Sequence, residues 1–588
     1  MTAGRRFPAL PLAVVLLAVV LPLGACASVP DGGRPVSVRT VPPAGTVPDE
    51  PDVRVQPPGP VAGSSPVQVV RGFLNAAVSS DDRHAVARSF LSPEARRGWS
   101  DEGPVRVFRL ASVTSAGPDA VRVRGRMAGA VGADGAFTPS DRPLDLLLRL
   151  GWTGSVWQLV TPPPGVYLQD VYFTQVYIPY SAYFVAAGSR RVVPDLRYLD
   201  RSLGNAEPSE LVRLLLAGPS GWLAPGVRTA FPAGTRLRGN VVRDDDLLTV
   251  DLTAEADFAS PEDRALLSAQ LVWTLRQFPV NGVRIEVEGR GFEAPGAGGV
   301  QDVNLWSHQN PAAPEVDLPA YEVRGGAVRV LVPSPRSPIP AGAPFGGVQA
   351  RSGTVSAAVS LDGSALALVK PGVRGGRRLF VGPSTGPLVP RYAAARIGRP
   401  TWGPRTSSVL VVADSSRLLL VPQTGPIRAV DAPVLRPYLA RGEPIGAIRL
   451  APDGIRLALV VGTGADARLL TGVLHGDGTR TPSLVSVRSV AAGVGDLTDV
   501  GWSRERALVT VGRETGGELL PWEVSSDGST RSSSSRSGLP AGRLEQVAAT
   551  PVDHVLLGAG GTTYQRFFNS WSAPLSDGVV GAEPFYPG

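Results

Sequence analysis

Four short stretches of the 588-residue chain hold residue types whose spacing could support chemistry. Gly462, Gly464 and Ala467 follow an apolar run and fit the G-x-G-x-x-A pattern of a dinucleotide site. That pattern works when a helix opens there and turns its N-terminus to a pyrophosphate. The residues that follow, "RLLTGVLHGDGTR", read as a strand ending in an Asp-Gly turn, so a hairpin loop is expected. Gly382, Ser384 and Gly386 fit the G-x-S-x-G nucleophile elbow, yet Pro387 and another extended run stand where the elbow requires a helix. Asp244, Asp245 and Asp246, with Asp251, Glu255 and Asp257 nearby, offer carboxylates to calcium but lack the D-x-[DN]-x-[DN]-G loop that wraps the ion. A hairpin turn leading into a strand with solvent-facing acids is expected there. The histidines, His84, His308, His475 and His554, are far apart, and none has a ligand partner four residues on. No catalytic, cofactor-binding or metal residue is therefore expected.

The fourth stretch is "LPLGACASVP", residues 21–30, which contains the only cysteine, Cys26. A catalytic thiol would need a histidine held beside it. Arg5, Arg6 and the apolar run that follows instead have the layout of a secretory signal peptide over residues 1–25. Leu23-Gly24-Ala25-Cys26 resembles the bacterial lipobox, in which the cysteine becomes the first residue of the mature chain. The resemblance implies that Cys26 is a lipidation site, an S-diacylglycerol and N-acyl cysteine, holding the protein at the extracytoplasmic face of the cell membrane. Two acyl chains anchor stably where one does not, at about 0.8 kcal/mol per buried CH₂.

Composition agrees with an exported, tethered protein. Of 58 basic residues only Lys370 is a lysine, against 51 acids, for a net charge of +7. The basic residues show no run beyond pairs, which excludes a nucleic-acid footprint as a partner surface. Past Cys26 no apolar stretch approaches the roughly 20 residues of a membrane-spanning helix.

The elements divide the chain. Residues 26–65 are rich in proline and glycine, have no hydrophobic period and read as an extended tether. Residues 66–165 show helical spacing at Val69, Val70, Phe73 and Leu74, then period-two segments, which predicts an α+β domain. It is similar to nuclear-transport-factor-like and cystatin-like cones. Residues 166–295 predict an α/β domain whose main helix starts at Ser260-Pro261 and runs a stripe through Leu267, Leu271, Leu275 and Phe278. The order Leu216-Ala217-Gly218-Pro219, Pro232-Ala233-Gly234-Thr235, Val250-Asp251-Leu252 and Gln270 to Leu275 resembles the GerMN domain of sporulation and germination proteins. That family implies an extracytoplasmic module with no established catalytic centre. The tyrosines at 167, 172, 177, 180 and 183 suit either an aromatic seam between two domains or a recognition surface.

Residues 296–318 read as a linker and 319–588 as an all-β propeller. Ser360, Gly403, Ala451, Ser503 and Thr550 mark repeats spaced by 43, 48, 52 and 47 residues, each with an apolar strand between turns. About five blades are expected, with Tyr321–Val332 either completing the ring with C-terminal strands or starting a sixth.

Signal, tether, α+β domain, GerMN-like module and propeller, in this order, resemble the LpqB family of actinobacterial lipoproteins over essentially the full length. The resemblance implies a non-enzymatic accessory of a two-component system, whose partner is the extracytoplasmic domain of a sensor histidine kinase of the MtrB kind, linked to cell-wall homeostasis and division. A wall-binding or wall-hydrolysing lipoprotein using the propeller mouth is the alternative, and a purely structural spacer a third reading. Asp362, Asp414 and Asp453, at repeat turns, would have to gather at that mouth for the wall-active alternative to hold. For the anchor, Cys26→Ala should abolish incorporation of labelled palmitate into the protein in cells and release it from the membrane fraction; continued labelling would refute Cys26 as the acceptor.

Overall fold

Pro66–Ala76 (α1) is helical from a defined start, because the Ser65 hydroxyl accepts from the Gln68 N–H while the Gln68 side chain returns to the Ser65 N–H. The computed structural model describes residues 57–311, 318–334, 339–404, 407–476, 481–573 and 583–588. Cys26, the signal peptide and most of the tether lie outside the described residues. Val69, Val70, Phe73 and Leu74 form the buried face of α1. Asp81–Ser89 (α2) and Pro93–Gly98 (α3), the latter capped by Ser92, complete a helical layer. It packs on a sheet of β1 (Val105–Ser115), β2 (Ala120–Val131), β3 (Phe137–Pro139), β4 (Pro143–Trp152), β5 (Trp157–Leu159) and β6 (Tyr167–Gln169), ordered β5-β4-β2-β1-β6 with β3 on β2. The boundary expected at 165 moves: β6 pairs in parallel with β1, Arg106 opposite Tyr167, because the Pro162–Pro164 run turns the chain back along the sheet.

The second module begins after Asp170–Val176 (α4). One sheet holds β7 (Tyr177–Ala186), β8 (Val192–Asp200) and β9 (Val227–Arg228), with Glu207–Ala217 (α5) between β8 and β9. The other holds β10 (Val242–Asp244), β11 (Leu247–Leu252), β12 (Gly282–Val287), β13 (Arg290–Gly291) and β14 (Val300–Gln301). β11 and β12 are parallel, and their crossover is Pro261–Leu275 (α6), capped by the Ser260 hydroxyl on the Asp263 N–H. α6 is buried almost all round. Its Gln270 is satisfied inside the core, accepting from Ala230 N at 2.7 Å and donating to Tyr183 O at 2.8 Å.

Among the described residues six sheets follow in the propeller. Five are the expected repeats, starting at Ser356, Thr401, Ile445, Val494 and Leu544. The sixth, here blade 1, joins Ala320–Arg324 and Ala327–Val332 to the C-terminal strand Glu583–Phe585, which is its innermost strand. So the early hairpin both forms an additional blade and is closed by the end of the chain. The innermost strands touch in cyclic order, and Glu583–Phe585 contacts those of blades 6 and 2.

Why the second strand of each blade is so apolar follows from this ring. In blade 2, Leu366 and Leu368 join the core shared with blade 1, while Ala365, Ala367 and Val369 join that shared with blade 3. In blade 3, Val409 and Val411 point back and Leu410 and Val412 forward. A strand alternates faces with period two, so one buried on both faces needs apolar residues throughout. Trp402 and Trp502 occupy equivalent places and donate to Ala358 O at 3.0 Å and Arg449 O at 3.1 Å in the preceding blade.

Phe585 is buried against Tyr321, ring centroids 5.5 Å apart. Phe585→Ala should cost about 3–5 kcal/mol and open the ring at this seam. Chemical denaturation followed by tryptophan fluorescence checks it, and a loss under about 1 kcal/mol would mean closure does not depend on this ring.

Candidate functional site at the propeller axis and its mouth

The chemistry-bearing motifs of the sequence are used up by turns. Gly462 and Gly464 lie in the hairpin between the second and third strands of blade 4, with one short 3-10 turn at Gly464–Asp466 and no dinucleotide helix. Ser384 is buried in a blade 2 hairpin, its N–H donating to Ser364 O at 2.8 Å. Asp244–Asp246 form the exposed β10–β11 turn, Asp245 at φ +47°. Asp251 pairs with Arg238 at 2.8 Å, and Asp257 with Arg264 and Arg290, both at 3.4 Å. Among the described residues no three His, Cys, Asp or Glu side chains are disposed to hold a metal.

The three repeat-turn acids do not gather. Asp362 accepts from the hydroxyls of Ser360 and Ser364, Asp453 from Ile455 N, Arg456 N and Arg456 Nε, and Asp414 pairs with Arg417 in a different hairpin of its blade. His475 Nδ1 lies 2.7 Å from Pro225 O and His84 Nδ1 3.4 Å from Asp101, while His308 and His554 are exposed. The tyrosine stretch is a seam between modules. Tyr183 Oη donates to Glu505 of blade 5 at 2.5 Å, and Arg276 of α6 reaches the same carboxylate at 2.7 Å.

What does converge is a charge cluster on the axis that repeat reading missed. Arg399 and Asp499 stand four residues before the repeat markers Gly403 and Ser503, just ahead of their innermost strands. Arg399 donates to Pro584 O at 3.2 Å and Val547 O at 3.1 Å, and its guanidinium is 3.5 Å from Asp499. Asp499 also accepts from Arg449 at 3.1 Å, Val500 N at 2.9 Å and Val547 N at 3.1 Å. Blades 1, 3, 4, 5 and 6 are thus tied through one carboxylate and one guanidinium. Burial, then the neighbouring Arg399, pushes Arg449 down to about 9. Burial likewise raises Glu583, with Asp499 and Glu545 adding to the rise while Arg399 and Arg449 oppose it.

Glu583 is raised and Asp499 is engaged on the same axis. A cavity lined by their partners Arg399 and Arg449, by Trp402 and by the chain's own Tyr586–Gly588 is about 50 Å³. That is room for a water or two, not for a wall polymer. Gly588 N donates to Val359 O at 2.9 Å, so the tail occupies this end of the channel. A separate cleft of about 1000 Å³ lies between blades 4, 5 and 6.

The second feature missed in sequence is on the first module. Arg122, Arg124 and Arg126 alternate along β2, which brings three guanidiniums to one sheet face, partly balanced by Asp145 at 3.6 and 3.5 Å and Asp141 at 2.9 Å. The period-two spacing was the available signal.

Comparison with known proteins decides the family. A model described as "Lipoprotein LpqB, N-terminal domain" matches residues 59–174, and "Lipoprotein LpqB beta-propeller domain" matches 340–587. Between them, residues 181–292 match "Sporulation and spore germination". The chain belongs to the LpqB lipoprotein family. Relatives named Lipoprotein LpqB include those of Rhodococcus jostii, 27% identical over 94% of both chains, and Thermobifida fusca, 28% identical over 96% of this chain and 97% of that one. Among solved structures, the tandem GerMN domains of GerM from Bacillus subtilis align with 20% of this chain and 40% of theirs at 22% identity and a TM-score of 0.16. No helix among the described residues is long and apolar enough to cross a membrane.

Because the fold holds Glu583 above an ordinary glutamate, it favours the protonated form, and stability contributed by that proton is lost as pH rises through the raised value. Glu583→Gln removes this dependence. Its thermal midpoint should gain on the parent as pH rises above about 4.3; calorimetry showing a constant offset across pH would break the linkage.

Proposed function

We propose that acyl chains on Cys26 hold this protein at the extracytoplasmic face of the cell membrane, where it acts as a non-enzymatic accessory of a two-component sensor histidine kinase of the MtrB kind. The observation that carries the reading is the joining of three modules into one docking body while the residues capable of chemistry are consumed by turns and ion pairs. Each module pair is bonded. Arg197 donates to Asp134 O at 2.6 Å across the first and second modules. The Tyr183–Glu505–Arg276 group links the second to the propeller, and Arg109 reaches Ala492 O at 3.4 Å between the first and the propeller.

Such a body biases a sensor when it binds one of the sensor's two states better than the other. Tethering raises its effective concentration beside a membrane partner, so a modest contact suffices. The large cleft is lined by aliphatic, polar and charged side chains without an aromatic ring on which a sugar could stack.

Crosslinking in cells followed by mass spectrometry should recover a membrane sensor kinase with the acylated protein, and Cys26→Ala should reduce that recovery. Recovery of wall glycans without a kinase would overturn the proposal.

A further inference from the structure

The β4–β5 hairpin of the first module ends in a pair of tryptophans. Trp152 and Trp157 face each other as the last pair before the turn, ring centroids 5.5 Å apart and planes at 68°. Seven of the chain's ten tryptophans are buried and donate the indole N–H to an oxygen of the protein. Trp222 lies under the Arg488 guanidinium. The hairpin pair is different. Trp157 rests on the module's core but is only partly covered, and Trp152 is 53% exposed. Neither indole N–H has a partner among the described residues. An amphipathic ring held half in water, with its N–H free, suits a boundary between apolar and wet surroundings.

Composition and position say which boundary. From Leu150 to Gln169 the chain carries no charged residue, although 19% of all its residues are charged. A partner recognised through ion pairs finds nothing to hold on this hairpin. Its polar side chains are turned inward: Thr153 Oγ1 donates to Val156 O at 3.1 Å and lies 3.2 Å from Gln158 Oε1. A sugar stacks on a flat ring with free polar groups beside it, whereas these two indoles form a wedge. The chain coming from Cys26 also enters on this edge. Gly59 packs beside Ser89, whose hydroxyl would lie 3.6 Å from a Cβ on that glycine. The carbonyl of the next residue, Phe90, accepts from Leu159 N at 2.9 Å, two positions along β5 from Trp157. Tryptophan is the side chain that collects at membrane–water interfaces, and an uncharged tip enters that layer without desolvating an ion.

We propose that the β4–β5 hairpin is a second membrane contact, its Trp152–Trp157 wedge inserting into the interfacial layer of the bilayer that holds Cys26. Val160, exposed at the base of the hairpin, adds apolar surface. The inference rests on the anchoring read above and supplies what an acyl anchor on a linker lacks, an orientation. A linker leaves the body free to turn, while a second contact fixes which face meets the lipid.

The test places the purified acylated protein in phosphatidylcholine vesicles in which part of the lipid is brominated near the head group, a quencher of tryptophan at interfacial depth. Part of the fluorescence should be quenched, and the quenching should survive high salt because no ion pair supports it. Trp152→Ala should remove most of it at an unchanged thermal midpoint, since that ring lies outside the core. Ser155→Asp, which keeps both rings and puts a charge in the turn, should weaken it as well. Quenching equal to the parent's in both variants, or abolished by salt, overturns the contact. So does a Trp152-dependent emission change on adding chitotetraose without quenching by the lipid, which would assign the hairpin to wall glycan. Absence of quenching in protein that floats with the vesicles sinks the hairpin and leaves the anchor. Quenching of unacylated Cys26→Ala protein at raised lipid concentration, with no palmitate on the parent in cells, sinks the anchor and leaves the hairpin.

Discussion

A propeller blade has two apolar faces, and neither can be left to water. In this chain the constraint is met only when the last described strand, Glu583–Phe585, completes a blade begun more than 250 residues earlier at Ala320–Arg324. Without it the ring would expose Tyr321 and Val323 on one side, and Ala548 and Leu556 on the other. Closure turns six marginal sheets into one continuous core. It also fixes the axis, because Arg399 grips the carbonyl of Pro584 on the closing strand and the carbonyl of Val547 in blade 6.

The same ring gives the other two modules a rigid seat. The core of the second module runs on into Ile455 and Val473 of blade 4. Gly226 is a point of close approach: a Cβ there would lie 2.6 and 2.7 Å from Val473 and Ile455, so the contact depends on a residue without one. Beside it Arg488 stacks over the Trp222 ring at 3.7 Å. A body seated in this way presents its surfaces in a fixed relation, which is what a protein needs if its contact is to favour one state of a partner.

Much of the architecture was legible because it follows local rules. Ser260 announces a helix start through a hydroxyl that reaches the N–H three residues on, and the structure uses it. The Gly462 and Ser384 motifs were correctly read as hairpins, since the required helix was missing from the residues after them. The first module's edge was less legible. β6 belongs to a sheet whose partner strand lies some sixty residues upstream, and parallel pairing leaves no turn signal at the junction.

The sequence by itself determined the order of modules, the caps, the hairpins and the period-two strands, because each depends on residues within a few positions of one another. Only the tertiary structure decided that Arg399, Arg449, Asp499 and Glu583 share one axis. Those neighbours come from different blades, and their meeting depends on how many blades close the ring and which strand closes it. Local spacing encodes a blade, whereas the packing of its two faces against other blades sets its place around the axis.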